Sequence, residues 1–477
     1  MSREIQVRNP RTGVADYAIT AADGAAIAAA TATLRNNQPA WQAAGFEHRC
    51  GVLREWAAIL LADQAKLLAA LSADTGRHLV CLAEIGALPS MLSRWHGYAQ
   101  DVLSEQPERP SATPGIGVKT QLVPFPVVGV ISPWNFPFLL SMIDAIPALV
   151  AGSAVVIKPS EVTPRFVEPL LASLEQVPEL AGVFTLVAGD GATGAALIEH
   201  VDAIAFTGSV ATGRKVAEAC AENFIPVFLE LGGKDPAVIL SSADPVETAR
   251  PVLRASVQAT GQACQSLERI YVHESIHEPF LEELVARALE VELSYPDIHR
   301  GHLGPLIFER QAEIIAAHLA DAVGKGARIL CGGEIEHHGG GKWIRPTVLT
   351  DVTHDMVVMR EETFGPVIPV MSFSTVDEAV ALANDTAYGL SAAVFGADLA
   401  AAELVARRLH AGAVSINDGA LTVEVFDAGH TSFNFSGLGA SRSGRAGLER
   451  FFRQKALMIR HGEARGVDSI NEANAPN

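Results

Sequence analysis

Five short apolar runs decide the fold: Val127-Val-Gly-Val-Ile131, Ala154-Val-Val-Ile-Lys158, Val183-Phe-Thr-Leu-Val187, Ala203-Ile-Ala-Phe-Thr207 and Val227-Phe-Leu-Glu-Leu231. None alternates apolar with polar residues, so none reads as a strand with one wet face. Helical patterns fill the gaps over residues 137–150, 164–175, 193–200 and 213–222, set off by turns rich in glycine or proline. Strands buried on both faces and spaced by helices form a parallel sheet with helices on either side. Such a sheet takes ligands in the crevice beyond the carboxyl ends of its strands.

A second alternation follows residue 234. Candidate strands lie at residues 237–240, 270–273, 367–372, 391–395 and 414–416, with helices over 245–260, 279–293 and 399–409. A second α/β domain is the economical reading. Before residue 105 the chain is helix-rich, with apolar residues at three- and four-residue spacing over 25–34, 49–71 and 82–103. Pro89 should break or kink the third of these. Residues 103–126 contain five prolines and suit a linker or an excursion to a partner subunit. Residues 467–477 read as a frayed tail.

The chain has 477 residues, enough for two or three domains at roughly 150 residues each. It is 49% hydrophobic and 19% charged, a composition that buries large cores. Thirty-six Lys and Arg against 54 Asp and Glu give a net charge of −18, which argues against a nucleic-acid partner. No uninterrupted apolar run approaches the ~20 residues a bilayer demands. The opening MSREIQVRNP lacks the apolar core of a signal peptide. Cys50, Cys81, Cys220, Cys264 and Cys331 are scattered without CxxC spacing, which suits a reducing compartment. A cytoplasmic protein away from membranes is expected.

Several motifs bear chemistry. Gly189-Asp-Gly191-Ala-Thr-Gly194 has the GxGxxG spacing, but the next strand ends in Phe206-Thr207 rather than the acid that holds a ribose. It reads equally as a helix-opening turn or as part of a nucleotide pocket. Gly208-Ser-Val-Ala-Thr-Gly213 has P-loop glycine spacing but is followed by Arg214-Lys215, without the Mg²⁺-binding hydroxyl of an ATPase. A phosphate resting on that helix N-terminus remains reasonable. A lone cysteine is usually a small core residue. The polar turn Gly261-Gln-Ala-Cys-Gln-Ser266 argues instead for a thiolate near solvent at Cys264. Glu230 ends a strand before Leu231-Gly-Gly233, where a carboxylate can act as a base, and Asn135 lies in the rigid loop Ser132-Pro-Trp-Asn-Phe-Pro137. His337-His338 sits in a hairpin-like loop, and His299 and His302 flank Gly301. Neither pair has a carboxylate or cysteine at ligand spacing, so no metal is expected.

Six segments occur in order: Pro133-Trp-Asn-Phe-Pro137, Lys158-Pro-Ser-Glu161, Phe206-Thr-Gly-Ser209, Glu230-Leu-Gly-Gly-Lys234, Gly261-Gln-Ala-Cys264 and Glu361-Glu-Thr-Phe-Gly-Pro366. Together they resemble the NAD(P)-dependent aldehyde dehydrogenase superfamily, of the hydrolytic type, over nearly the whole chain to about Met458. The resemblance implies an α/β protein in three parts. A Rossmann-type NAD-binding domain would comprise residues 1–102 and 127–235. An α/β catalytic domain would span 236–440, and an oligomerisation element would combine 103–126 with 441–466, its strand near residues 456–460. A homodimer or homotetramer is implied.

The resemblance also assigns roles. Cys264 attacks the aldehyde to give a thiohemiacetal, whose oxyanion rests on the Asn135 amide and the Cys264 backbone N–H. Hydride leaves to the nicotinamide, and Glu230 activates water to hydrolyse the acyl-enzyme. Lys158 and Glu161 match positions at the adenosine ribose, and Trp134, Ser209 and the helix from Gly213 surround the pyrophosphate. Glu362 holds the nicotinamide ribose and Phe364 packs near the ring, where Leu231 and Gly232 pass close. Ser160, Gly191 and Phe206 complete the cofactor set. The cofactor expected is NAD in preference to NADP. Phe136, Leu139, Leu140, Ile143, Ala263, Gln265 and Phe435 would border the substrate tunnel. That mostly apolar set implies an apolar or aromatic aldehyde, although Arg442 and Arg445 approach the same region.

Some positions depart from the family. Asn434, Ser436 and Arg442 stand where it commonly carries Pro, Gly and Gly. Glycine permits backbone angles that arginine resists, so the backbone at Arg442 need not follow the family. Asp144 stands where many hydrolytic members carry lysine, and any proton-relay role of that lysine does not transfer. Three rivals remain: a CoA-acylating enzyme, a catalytically retired binding protein, and an esterase acylated at Cys264 without cofactor. Glu230 speaks against the first, and retention of Cys264, Asn135, Glu230 and Glu362 against the second.

Overall fold

The computed structural model describes residues 3–104 and 107–474. Residues 105–106 of the expected linker and 475–477 of the expected tail lie outside the described residues. Valine- and isoleucine-rich runs fit a pleated surface, and Val127–Ile131, Ala154–Lys158 and Ala203–Thr207 are buried at every position. The first sheet runs Gly437–Leu438, Val227–Glu230, Ala203–Thr207, Val127–Ile131, Ala154–Lys158, Phe184–Leu186, all parallel except the first. The chain starts in a central strand, winds outward to Phe184–Leu186, then crosses to Ala203–Thr207 on the other side. The order therefore reverses between Val127–Ile131 and Ala203–Thr207, and a crevice opens there.

The second sheet runs Arg328–Cys331, Thr347–Thr350, Val367–Phe373, Leu267–His273, Asp235–Ile239, Ser391–Phe395, Ala413–Ile416, with only the first pair antiparallel. Its five expected strands are present with ends shifted by up to three residues. Arg328–Cys331, Thr347–Thr350 and the helix Glu309–Gly324 were not foreseen. Four-residue strands give too short a pattern to separate from loop. The N-terminal hairpin Arg3–Arg8 with Ala15–Ala21 also escaped, because its mostly exposed faces carry little apolar signal. His337 and His338 lie in the hairpin Ile335–His338 with Gly341–Ile344.

Two breaks in the N-terminal helices differ in legibility. The pattern over 82–103 is interrupted at Ala87, between Leu79–Gly86 and Leu88–Leu103, with Pro89 in the first turn of the second helix. The pattern over 49–71 is interrupted at Asp63 by a 73° bend between Phe46–Ala62 and Gln64–Thr75, where no proline marks it. Among the described residues no single helix is long and apolar enough to cross a membrane.

The C-terminal segment corrects one grouping. Residues 236–440 were expected to form one unit, yet Gly437–Leu438 extends the first sheet by pairing with Val227–Glu230. The Leu231 N–H donates to the Ser436 carbonyl, and Leu448 and Phe451 bury themselves in the first sheet's core. Beyond them Phe452–Arg460 pairs along its length with Ile116–Pro124, which also pairs with Arg109–Pro110. The outer strand of this three-stranded ribbon is exposed from Arg453 to Arg460.

Candidate active site

A cavity of about 740 Å³ opens where the carboxyl ends of the first sheet face the second unit. Ile131, Lys158, Phe206 and Thr207 come from strand ends, Leu231, Gly232 and Cys264 from the region between the sheets, and Phe308, Gln311, Glu362 and Phe364 from the far wall.

Cys264 follows a short 3₁₀ turn, Gln258–Gly261, in which Ala259, Thr260 and Gly261 have φ of +54°, +63° and +65°. Consecutive left-handed residues are costly and persist only where the surroundings over-determine them. Here they do. Gln262 donates to the Ala259 and Pro305 carbonyls and accepts from the Ile307 N–H, while Thr260 Oγ1 donates to the Gly304 carbonyl at 3.0 Å. A Cβ on Gly261 would lie 2.3 Å from the Gly365 backbone, so only glycine allows this approach.

The same turn holds Asn135. Its Nδ2 donates to the Gln262 carbonyl at 3.0 Å, and buried Arg77 donates to the carbonyls of Asn135 and Ala259. The amide is thus clamped to the peptide two residues before the thiol. Burial pushes the Cys264 thiol up to about 12, with Glu362 and Asp235 adding to the effect and Arg442 opposing it. Such a thiol is protonated at neutral pH and needs a base to react. Glu230 ends its strand nearby, and Ser432 Oγ donates to its Oε2 at 3.0 Å.

Glu362 accepts from the Gly233 N–H at 3.1 Å, and a Cβ on Gly232 would lie 2.4 Å from its Oε2. Burial, then the charge of Glu268, pushes the Glu362 carboxyl up to about 8. Glu268 is itself buried. It accepts from the Thr363 and Phe364 N–H groups at 2.8 Å each and from Lys234 Nζ at 2.5 Å. This network supports Phe364 at φ +53° and holds its ring edge-on to Trp134 at 5.3 Å.

At the other end, Lys158 Nζ lies 3.2 Å from Glu161 Oε2, beside Ser160. The N-termini of two helices, Val210–Glu222 capped by Ser209 and Gly191–Ile198 capped by Asp190, present Gly208, Ser209, Gly191 and Gly194 to the same space. Backbone N–H groups at helix starts suit a pyrophosphate. Gly208 would have no room for a Cβ, which would lie 2.5 Å from the Phe206 ring. A long cavity with anion-binding helix starts at one end and a carboxylate at the other fits a dinucleotide.

The expected cofactor residues Trp134, Lys158, Ser160, Glu161, Gly191, Phe206, Ser209, Leu231, Gly232, Glu362 and Phe364 all line this cavity. Gly213 does not. A Cβ there would lie 2.6 Å from Leu231 Cδ2, so Gly213 lets the helix approach Leu231 instead of touching the cavity. None of the expected substrate residues lines it either. Ile143 is buried in the first sheet's core, with Leu139 and Leu140 packed against that core. Arg77 lies over the Phe136 ring, Ala263 and Gln265 flank Cys264 half-buried, and Phe435 is 50% exposed beneath Arg214. Asn434 has φ +50°, which a proline ring forbids, and Arg442 has no left-handed backbone. Phe308 and Gln311 were missed with their helix. Arg77, Lys234 and Glu268 act by burial, which no local pattern signals.

A doubly wound sheet with its crevice at the order reversal is a dinucleotide-binding architecture. Residues 1–457 match the model of the aldehyde dehydrogenase family. A protein of Mycolicibacterium smegmatis named "Putative succinate-semialdehyde dehydrogenase", NADP(+)-dependent by that name, is 36% identical over 426 residues, 88% of this chain and 81% of the relative. Betaine aldehyde dehydrogenase of Cereibacter sphaeroides is 35% identical over 96% of this chain and 94% of its own. The solved structure titled "Putative Aldehyde Dehydrogenase PutA from Anabaena variabilis" superposes with TM-score 0.95 at 52% identity, covering 98% of this chain and 99% of that one. The chain belongs to the aldehyde dehydrogenase family and is an NAD(P)-dependent oxidoreductase acting on aldehydes.

Proposed function

We propose that this enzyme oxidises an apolar or aromatic aldehyde to the carboxylic acid with NAD, through a thioester on Cys264. The observation that supports the reading is the hydrogen bond from the Asn135 amide to the Gln262 carbonyl, two residues before Cys264. Water takes the Cys264 proton as the sulfur adds to the carbonyl carbon, and the oxyanion is stabilised by the Asn135 amide and the Cys264 N–H. Bound NAD would supply the hydride acceptor that lets the thiohemiacetal carbon on Cys264 become a thioester carbon. Glu230 then takes a proton from water as the water oxygen adds to the thioester carbonyl, and the C–S bond breaks to release the acid.

Lys158, Glu161, Ser209 and Glu362 would hold the cofactor. The Glu161 carboxylate disfavours a 2′-phosphate, and Lys158, tied to Glu161, is not free to pair with one. This favours NAD, although the Mycolicibacterium relative is named for NADP(+). Exposed Phe433, next to the Ser432 that bonds Glu230, supports an apolar substrate mouth. The exposed three-stranded ribbon supports a homodimer or homotetramer, because isolated ribbons are marginal in water. Five free cysteines favour a cytoplasmic setting.

NADH absorbance over aromatic, long aliphatic, carboxylated and cationic aldehydes, with and without CoA, tests the reading. CoA-independent turnover with highest kcat/KM on apolar aldehydes, lost in Cys264→Ala, is expected. A CoA requirement would assign the acylating reaction, and turnover by the alanine variant would reject the thioester.

A further inference from the structure

The two groups that would receive an oxyanion come from distant parts of the chain. The Asn135 amide belongs to the loop before the helix Leu139–Ala151, and the Cys264 N–H to the turn after Gln258–Gly261. A hole built from two loops works only while their spacing is fixed, because each donor must lie ~2.7–3.1 Å from the place the oxygen will take. A side chain from a third segment spans them.

Arg77 stands between the helices Gln64–Thr75 and Leu79–Gly86 and is 5% exposed. One Nη donates to the Ala259 carbonyl at 3.3 Å, and the other donates to the Asn135 carbonyl. The guanidinium also lies 5.3 Å from the centre of the Phe136 ring. A guanidinium is a planar, rigid fork, so two carbonyls held on it keep a set separation. Glu84, in the helix that follows, completes the grip. Its Oε2 accepts from the Phe138 and Leu139 N–H groups at 3.1 and 3.0 Å, donors that a helix start leaves without partners of its own. Residues 77–84 thus hold the Asn135 loop by a carbonyl at one end and by N–H groups at the other. Arg77 and Glu84 are both buried and attract each other, which keeps the seat together away from water.

Asn135 sits on this seat with its side chain turned to the thiol's own segment. An amide nitrogen carries two hydrogens. One reaches the Gln262 carbonyl at 3.0 Å, which leaves the second for an oxyanion. Arg77 does not line the cofactor cavity, so any effect it has on the reaction passes through the loops it holds.

We propose that Arg77, seated beside Glu84, is a positioning residue for the oxyanion hole, its two Nη groups setting the distance between the Asn135 loop and the Cys264 turn. The inference rests on the reading of Asn135 as an oxyanion donor.

The test is a double-mutant cycle on single-turnover NADH formation from benzaldehyde, with enzyme in excess and NAD saturating. Asn135→Ala should slow it by about 10²–10³-fold, as loss of an oxyanion donor does. Arg77→Gln should slow the otherwise wild-type enzyme by about tenfold. In the Asn135→Ala background, where the donor is gone, it should slow it by less than about twofold. Equal NAD affinity in all four proteins, read by quenching of tryptophan fluorescence, sets positioning apart from a general loss of structure. Arg77→Lys keeps the buried charge without the fork, and it takes the place of Arg77→Gln in the cycle if that variant does not fold. Equal slowing by the Arg77 variant in both backgrounds, with Asn135→Ala itself slow, overturns the role of Arg77 alone. Unslowed NADH formation in Asn135→Ala overturns the reading beneath it.

Discussion

Two buried ion clusters stand behind the two carboxylates of the site, and they differ in net charge. Behind Glu362, Lys234 and Glu268 pair one to one, so the cluster is neutral, and the nearby Glu268 charge adds to burial in disfavouring a second anion. Behind Glu230, Arg442 and Arg450 share the single carboxylate Asp144, and the surplus is positive. Two acids of the same residue type are thus given opposite surroundings. Pairs of titratable groups with divergent environments are how one site assigns different tasks to like residues.

The largest expected effect lies at Glu230. Glu230→Gln should keep the first burst of NADH and lose about 10²–10⁴-fold in steady turnover, read by stopped-flow absorbance. Loss of the burst itself would move Glu230 from water activation to thiol activation.

Breaking the positive cluster comes next. Asp144→Asn leaves two buried guanidinium groups without a counter-charge, and should cost about 3–5 kcal/mol in urea unfolding. Asp144 also has a linkage signature. The arginines hold its carboxyl below the usual 3.8 against the opposing effect of burial. Its contribution is therefore present above that value and fades as pH falls through the lower folded-state value.

Glu362 should behave in the opposite sense. Its carboxyl is raised from 4.5 to about 8, so the folded apo-protein binds more protons than the unfolded chain between those values. Its contribution to stability must fall as pH rises through that window and level off above it. Glu362→Gln should flatten this slope in urea midpoints measured from pH 5 to 8.5. A slope identical to wild type would show that Glu362 titrates normally and would collapse the contrast between the clusters.

The smallest effect concerns the cofactor's far end. If Glu161 excludes a 2′-phosphate, wild type should prefer NAD by about tenfold or more in kcat/KM, equivalent to ~1.4 kcal/mol. Glu161→Ser should gain in NADP use. Equal use by wild type rejects this role.

Local patterns carried much of this protein. Unbroken apolar runs such as 154–158 and 203–207 announced a covered parallel sheet, and glycine-rich turns at strand ends located its crevice. The polar turn around Cys264 marked the thiol as unlike a core cysteine. The cofactor residues were legible through the resemblance of six ordered motifs to a known family, and most of them line the cavity. Gly213 misled, since the same demand for a missing Cβ arises from helix packing on Leu231. The resemblance put Ile143 beside a tunnel, and the apolar spacing of its helix gave no means of telling a cavity face from a core face.

By itself, then, the amino-acid sequence determined the alternation of strands and helices, the fold class and the chemistry-bearing turns. Each depends on residues within a few positions of one another. Only the tertiary structure decided that Gly437–Leu438 would return to the first sheet and that Asp144, Thr207, Arg442 and Arg450 would share one buried cluster. Asp144 and Arg450 are 306 residues apart. Such pairings follow from which charges burial leaves without water, and that is a property of the packed molecule that no local pattern can carry.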